Sequence, residues 1–348
     1  KQIPTELKKA EAILKFVQKN YTWDKKRGAF VDEGIKNLIN TKVGNAAEIN
    51  ILLILLLRNA GIKANPVVLS TVDRGMLTNY LPSITSLNYL IACFDSKDKL
   101  YILDATSKLS SINVIPPRAV NYIGYIFSEE KADQINLVNP EKSNTYLEVN
   151  AQLEKDATFA GHFTDRDTKI YAMLNSEEYD KDKEGYQKDN YKERYKFPLS
   201  NLKSGLLNDN EFETSFDFTS DTFVDGVGGK FIFNPLLFLY SKNHDFNQTE
   251  ATRPPLEFIS AYTKNKKVTI TIPEGYKFET IPDSKKFKTE DEGIVYTYMV
   301  TQEGNKITVE SNILVADSFF PKEYFPAFKQ IFDAITKYEG QLVTVVKK

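Results

Sequence analysis

A single cysteine, Cys93, in a chain of 348 residues excludes an internal disulfide framework and any zinc site built mainly from thiolates. Two histidines, His162 and His244, are too few for an imidazole metal centre, and no cofactor is expected. The chain also lacks an excess of either charge. With 45 Lys and Arg against 47 Asp and Glu, the net charge of −2 gives no electrostatic reason to expect nucleic acid or an anionic membrane as partner. The longest apolar run, Ile51 to Leu57, covers seven residues, whereas a transmembrane helix needs about 20. The start, Lys1-Gln2-Ile3-Pro4, has neither an initiator Met nor a signal sequence and reads as a mature form or an excised fragment of something longer.

What is present suits a folded, multi-domain chain. Hydrophobic residues make up 41% and charged residues 26%, close to globular averages. The length exceeds the roughly 250 residues at which single cores stop growing. Three regions are expected, at 1–135, 136–258 and 259–348. In the first, Ile3, Leu7, Ala10, Ile13, Leu14 and Val17 recur at helical spacing behind the start signals Pro4 and Thr5. A short helix is expected around Gly34 to Ile39. A third should run from Asn45 to Asn59, with Asn45 and Glu48 spaced as a capping box and an apolar run that should be buried on every face. Gly61 then stops the helix, and strands are expected at Ala64 to Thr71, Leu87 to Phe94 and Lys99 to Leu103.

From about Asn136 the apolar period changes to two, as in Leu147, Val149, Ala151 and Leu153, with a second strand at Thr158 to Phe163. The charged, Tyr-bearing stretch Arg166 to Tyr195 reads as a solvated helix, after which strands resume at Phe212 to Phe218. The last region predicts strands at Val268 to Ile272, Tyr276 to Ile281, Gly293 to Val300 and Lys306 to Val315. A closing helix at Lys322 to Lys337 would pack its aromatic face on a small β-sandwich.

Residues Gly44 to Ile62 read G-N-A-A-E-I-N-I-L-L-I-L-L-L-R-N-A-G-I. This segment resembles the active-site helix of the transglutaminase-like family, in which a nucleophilic cysteine precedes A-x-L-L-x-x-L-L-R-x-x-G-I. The family's histidine strand, F-N-H-V-I-V, aligns with Leu87 to Ala92, and its L-D-A/P-T segment with Leu103-Asp104-Ala105-Thr106. Downstream, Pro273 to Tyr276 and Phe319 to Pro326 resemble the β-domain that often follows such domains in bacterial envelope proteins.

The resemblance implies an α+β fold: a papain-like core, with a buried helix packed on an antiparallel sheet, followed by a β-rich, sandwich-like region. It implies that Ala46 stands where relatives carry the nucleophile and Tyr89 where they carry the base, while Asp104 keeps the third position. A methyl group cannot attack a carbonyl, and a phenol with a pKa near 10 is a poor base at neutral pH. The resemblance therefore leads to the expectation of a non-catalytic binding or scaffolding protein for a peptide, protein or glycan. It would be exported to the periplasm, the outer membrane or the exterior of a bacterium. Family relatives are cysteine-dependent transglutaminases, proteases or amidases. The alternative is a hydrolase using Glu48, Asp104 and Tyr89 without a covalent intermediate, which needs a carboxylate of raised pKa in an open pocket.

Other readings are weaker in chemistry. Trp23, Glu48, Asn50, Asp73 and Arg74 are candidate groove residues, though capping explains Glu48 and a buried hydrogen-bonded amide explains Asn50. Cys93 shares a strand face with Tyr89 but lies about 13 Å along the strand, and reads as an inert buried thiol. His162 and His244 both read as surface residues.

Overall fold

The computed structural model describes residues 5–75, 84–128, 132–138, 141–208, 210–244, 246 and 255–348. The expected helix-start positions Ile3 and Pro4 lie outside these. The chain divides into two compact units, Lys1–Glu141 and Lys142–Lys348.

In the first unit, α1 (Glu6–Asn20) begins where Thr5 Oγ1 accepts from Lys8 N, and it buries Ala10, Leu14 and Val17. The short strands β1 (Thr22–Trp23) and β2 (Val43–Gly44) pair in parallel on either side of α2 (Ile35–Thr41). Next, α3 (Ala46–Asn59) starts with the expected capping box: Glu48 N donates to Asn45 Oδ1 and Asn45 N donates to Glu48 Oε2. Leu53 and Leu57 are fully buried, each contributing about 1.5–3 kcal/mol. Burial is not uniform around the helix, however, because Leu55 is 46% exposed. Gly61 ends this segment at φ +84°, a backbone region that L side chains rarely adopt.

The sheet beneath is antiparallel. It comprises β3 (Ala64–Leu69), β4 (Tyr89–Ser96), β5 (Lys99–Leu103), β6 (Tyr122–Phe127) and β7 (Ala132–Leu137), in the order β5-β4-β3-β6-β7. The first unit thus reaches past the expected boundary at residue 135, because β7 pairs with β6 along its length.

In the second unit, β8 (Ser143–Leu153) alternates buried and exposed residues as its period-two pattern requires, and β9 (Phe159–Thr168) pairs with it antiparallel. The stretch read as a solvated helix instead packs on the sheet. It forms α4 (Lys169–Lys181), α5 (Lys183–Gln187) and a π-helical turn (Lys188–Lys192), and it buries Ile170, Met173, Tyr186, Tyr191 and Tyr195. The π turn explains why helical periodicity misses this face: Glu193 N donates to Lys188 O, five residues back. That widened turn brings Tyr186 and Tyr191, also five apart, onto one side.

Next come β10 (Leu199–Asn208), β11 (Glu211–Ser220), β12 (Val224–Val227), β13 (Lys230–Phe233) and β14 (Leu256–Glu257). After them follow β15 (Tyr262–Thr271), β16 (Tyr276–Thr280), β17 (Lys285–Lys288), β18 (Ile294–Glu303), β19 (Lys306–Val315) and β20 (Phe319–Phe320). The chain closes with α6 (Phe325–Glu339) and β21 (Val343–Lys347).

An eight-stranded sheet runs β10-β11-β9-β8-β15-β19-β18-β17, and a four-stranded sheet runs β12-β13-β21-β16. The expected boundary at 258/259 is corrected by one pairing. Strand β8 lies parallel to β15, from Ser143 opposite Tyr262 to Gln152 opposite Thr271. A single apolar cluster also joins Val149 and Phe163 to Val268, Val309 and Phe328. The two expected regions therefore share one sheet and one core.

Lys266 and Glu339 form a buried ion pair in this core, at 2.7 and 2.9 Å, with Ser241 and Ser311 completing their hydrogen bonds. Among the described residues no helix is long and apolar enough to cross a membrane.

Candidate functional site

The parallel pairing of β1 with β2 sets Trp23 opposite Gly44, at the entrance to α3. The space at Gly44 is tight: an added Cβ would meet Glu48 Oε2 at 2.8 Å and Leu38 Cδ1 at 2.9 Å, so those side chains would have to shift. Ala46 occupies the first helical position. Its N–H donates to Lys26 O at 3.2 Å, and its methyl group packs in the same fully buried cluster as Tyr89, Ile91 and Cys93.

Tyr89 opens β4, and Asp104 follows the last residue of β5, the next strand of the sheet. The Tyr89 hydroxyl donates to Asp104 Oδ2 at 2.9 Å. It also lies 2.7 Å from Thr106 Oγ1 and accepts from Arg118 Nε at 2.9 Å. Burial, with the Asp104 carboxylate beside it, pushes the Tyr89 hydroxyl well above its ordinary value of 10, against the pull of Arg118. At neutral pH it is therefore a proton donor and not a base.

The other Asp104 oxygen accepts from Asn50 Nδ2 at 3.0 Å and from Thr106 N at 2.9 Å. Asn50 is fully used as well, since its amide also donates to Leu90 O and accepts from Ala105 N. Ala46, Tyr89, Asn50 and Asp104 are all fully buried.

Arg118 was missed by sequence reasoning. It lies in a 3-10 turn (Pro117–Ala119) and stacks 4.3 Å from the Trp23 ring centre and 5.6 Å from that of Tyr89. Its NH2 group donates to Thr106 Oγ1 at 2.6 Å. The only local signal was Pro116-Pro117, which fixes a turn without saying what the turn will face. Trp23 in turn meets Tyr89 edge-on at 6.4 Å and is half-buried.

The expected groove residues separate. Glu48 and Asn50 are interior and hold the fold, which corrects their assignment to a groove. Burial pushes the Glu48 carboxyl up, but backbone N–H groups of Asn45, Glu33, Gly34 and Asp32 outweigh it and hold the group below its ordinary 4.5. This is the opposite of what a general base at neutral pH requires. Asp73 and Arg74 are exposed on a 3-10 turn, where Asp73 pairs with Arg27 and Arg74 donates to Thr85 O at 2.9 Å. Neither is joined by a hydrogen bond to the Tyr89–Asp104 pair.

Burial, and then Asp95, push the Cys93 thiol up to about 12, so it stays protonated and inert. His162 is exposed and pairs with Asp217 at 2.6 Å. His244 is not a surface residue, because its side chain is 6% exposed, packed by Phe246 and Phe332 and bonded to Asp333 at 2.8 Å. Among the described residues no three His, Cys, Asp or Glu side chains are grouped to hold a metal ion.

Residues 1–93 match the transglutaminase-like superfamily, and residues 229–345 match DUF3858, a domain of unknown function known from solved structures. Among curated proteins none matches the chain. A crystal structure from Parabacteroides distasonis, described as a "putative protease", is 14% identical and superposes with a TM-score of 0.53 over 99% of this chain. The chain spans about half the length of that protein, covering 52% of it, and at this identity the likeness shows the fold alone. The chain thus joins an N-terminal transglutaminase-like segment to a DUF3858 domain in a mixed α+β architecture.

Proposed function

We propose that this protein is a non-catalytic member of the transglutaminase-like group, acting as a binding or scaffolding module for peptide, protein or glycan at a bacterial envelope. The observation that carries this reading is the Tyr89–Asp104 hydrogen bond, buried beside the first turn of α3 where Ala46 stands. Relatives place a thiolate, stabilised by free N–H groups and the helix dipole, at that turn. Here a methyl group fills the place, and the Ala46 N–H is bonded to Lys26 O. Tyr89 takes the base position as a donor locked to the retained carboxylate.

Half-buried Trp23 and the half-buried Arg118 guanidinium stacked on it provide an aromatic and cationic pair suited to a planar or carboxylate-bearing ligand group. Export is proposed from the family resemblance, and the ligand from the chemistry of Trp23 and Arg118.

The test is an amide-hydrolysis and amine-incorporation assay on casein, comparing the wild-type chain, Tyr89→Phe and the double variant Ala46→Cys/Tyr89→His. Wild type and Tyr89→Phe should both remain at the no-protein background. A wild-type rate above background that Tyr89→Phe lowers would overturn the reading in favour of a hydrolase using Tyr89 and Asp104.

A further inference from the structure

The second unit contains a cavity of about 590 Å³ between the segment after the π turn, the β12–β13 hairpin and the short turn at Leu237–Leu239. This volume falls within the roughly 300–1,000 Å³ typical of small-molecule sites. Phe197, Phe223 and Phe238 form its apolar wall, backed by buried Phe233 and Leu237.

The wall is preformed. Phe197 meets Phe223 and Phe238 at ring-centre distances of 5.0 Å each, and Phe238 is held by Tyr195 at 4.9 Å. These three phenylalanines remain only half-buried, so they present apolar surface to the cavity.

Charge at this cavity is one-sided. Arg194, Lys196 and Lys242 line it against the single carboxylate of Asp225, and all four are exposed. Arg194 and Lys242 are each anchored over a ring, at 5.6 Å from Tyr195 and 5.4 Å from Tyr240. An apolar wall beneath a net positive rim selects for a molecule with the opposite division. Its apolar body would be desolvated by the rings and its anionic head left at the partly hydrated rim, where it is not stripped of water. A neutral ligand would leave the rim charges unmatched, and a cation would be repelled by them.

We propose that this cavity is a binding site for a small carboxylate with an apolar, ring-sized body. The site lies wholly within the second unit and is independent of the Tyr89–Asp104 cluster.

The experiment is isothermal titration of the full chain with naphthalene-1-acetate and with its neutral near-isostere naphthalene-1-acetamide, repeated on the double variant Lys196→Glu/Lys242→Glu. Both substituted residues are exposed, so the variant should keep the far-UV circular dichroism and melting temperature of the wild type. The acid should bind at least tenfold more tightly than the amide, and the double variant should lose that preference. Equal binding of acid and amide would overturn the proposal by reducing the site to an apolar cavity. Absence of binding by the acid up to millimolar concentration, or an acid preference unchanged in the folded double variant, would overturn it as well.

Discussion

The Tyr89 hydroxyl, from β4, and the Asp104 carboxylate, from the residue after β5, meet at 2.9 Å in an interior that admits no solvent to either side chain. The same hydroxyl accepts from Arg118, so one oxygen ties β4, the segment after β5 and the Pro117–Ala119 turn together. Tyr89→Phe keeps the ring but removes a donor from Asp104 and an acceptor from Arg118. Leaving buried polar groups unsatisfied costs about 1–3 kcal/mol. Urea denaturation should show a loss of that size, and an unchanged midpoint would mean that water or another side chain replaces the hydroxyl.

Glu48 makes acid stability sensitive to a single side chain. Its folded value lies below the ordinary 4.5, so the unfolded chain takes up this proton first as pH falls. The contribution is complete above 4.5 and is lost progressively as pH falls towards and through the lowered folded value. Glu48→Gln should therefore be less stable than wild type at pH 7, with the difference narrowing below pH 4.5. Chemical denaturation at pH 7 and pH 3 measures this, and a constant difference would contradict it.

The buried Lys266–Glu339 pair should be costly to break and cheap to replace. Glu339→Ala leaves a buried ammonium without its counter-charge, a loss of about 3–5 kcal/mol. Lys266→Met/Glu339→Leu removes both charges and should recover most of it. Calorimetric melting of the three proteins gives the comparison, and additive losses in the double variant would refute it.

Cys93 should be silent to thiol reagents. Its sulfur is buried and its thiol lies far above neutral pH, so 5,5′-dithiobis(2-nitrobenzoate) should react only as fast as the protein unfolds. Rapid stoichiometric reaction with the native protein at pH 8 would show an accessible thiolate instead.

Local signals carried most of the first unit. The Asn45–Glu48 capping box and the stop at Gly61 are encoded within a few residues, and α3 begins and ends where they place it. The alternation in Leu147 to Leu153 likewise appears unchanged in β8. Strands β6, β7, β10, β12, β13, β17 and β21 were not legible, because such segments, Lys285–Lys288 and Val343–Lys347 among them, acquire strand character from the partners they pair with. The tyrosines at 186 and 191 also escaped detection, since their five-residue step fits a π turn rather than a regular helix.

The sequence by itself determined the identity of the groups at the candidate site: alanine at the head of a buried helix, tyrosine on one strand and aspartate after the next. Side-chain chemistry is local, and it already excluded a thiol nucleophile at position 46. Tertiary structure alone decided that Tyr89 is a locked donor, that Arg118 joins the cluster, and that residues on either side of position 258 share one sheet. Those outcomes depend on desolvation and on pairing between residues far apart in the chain, and neither is a property of any short segment.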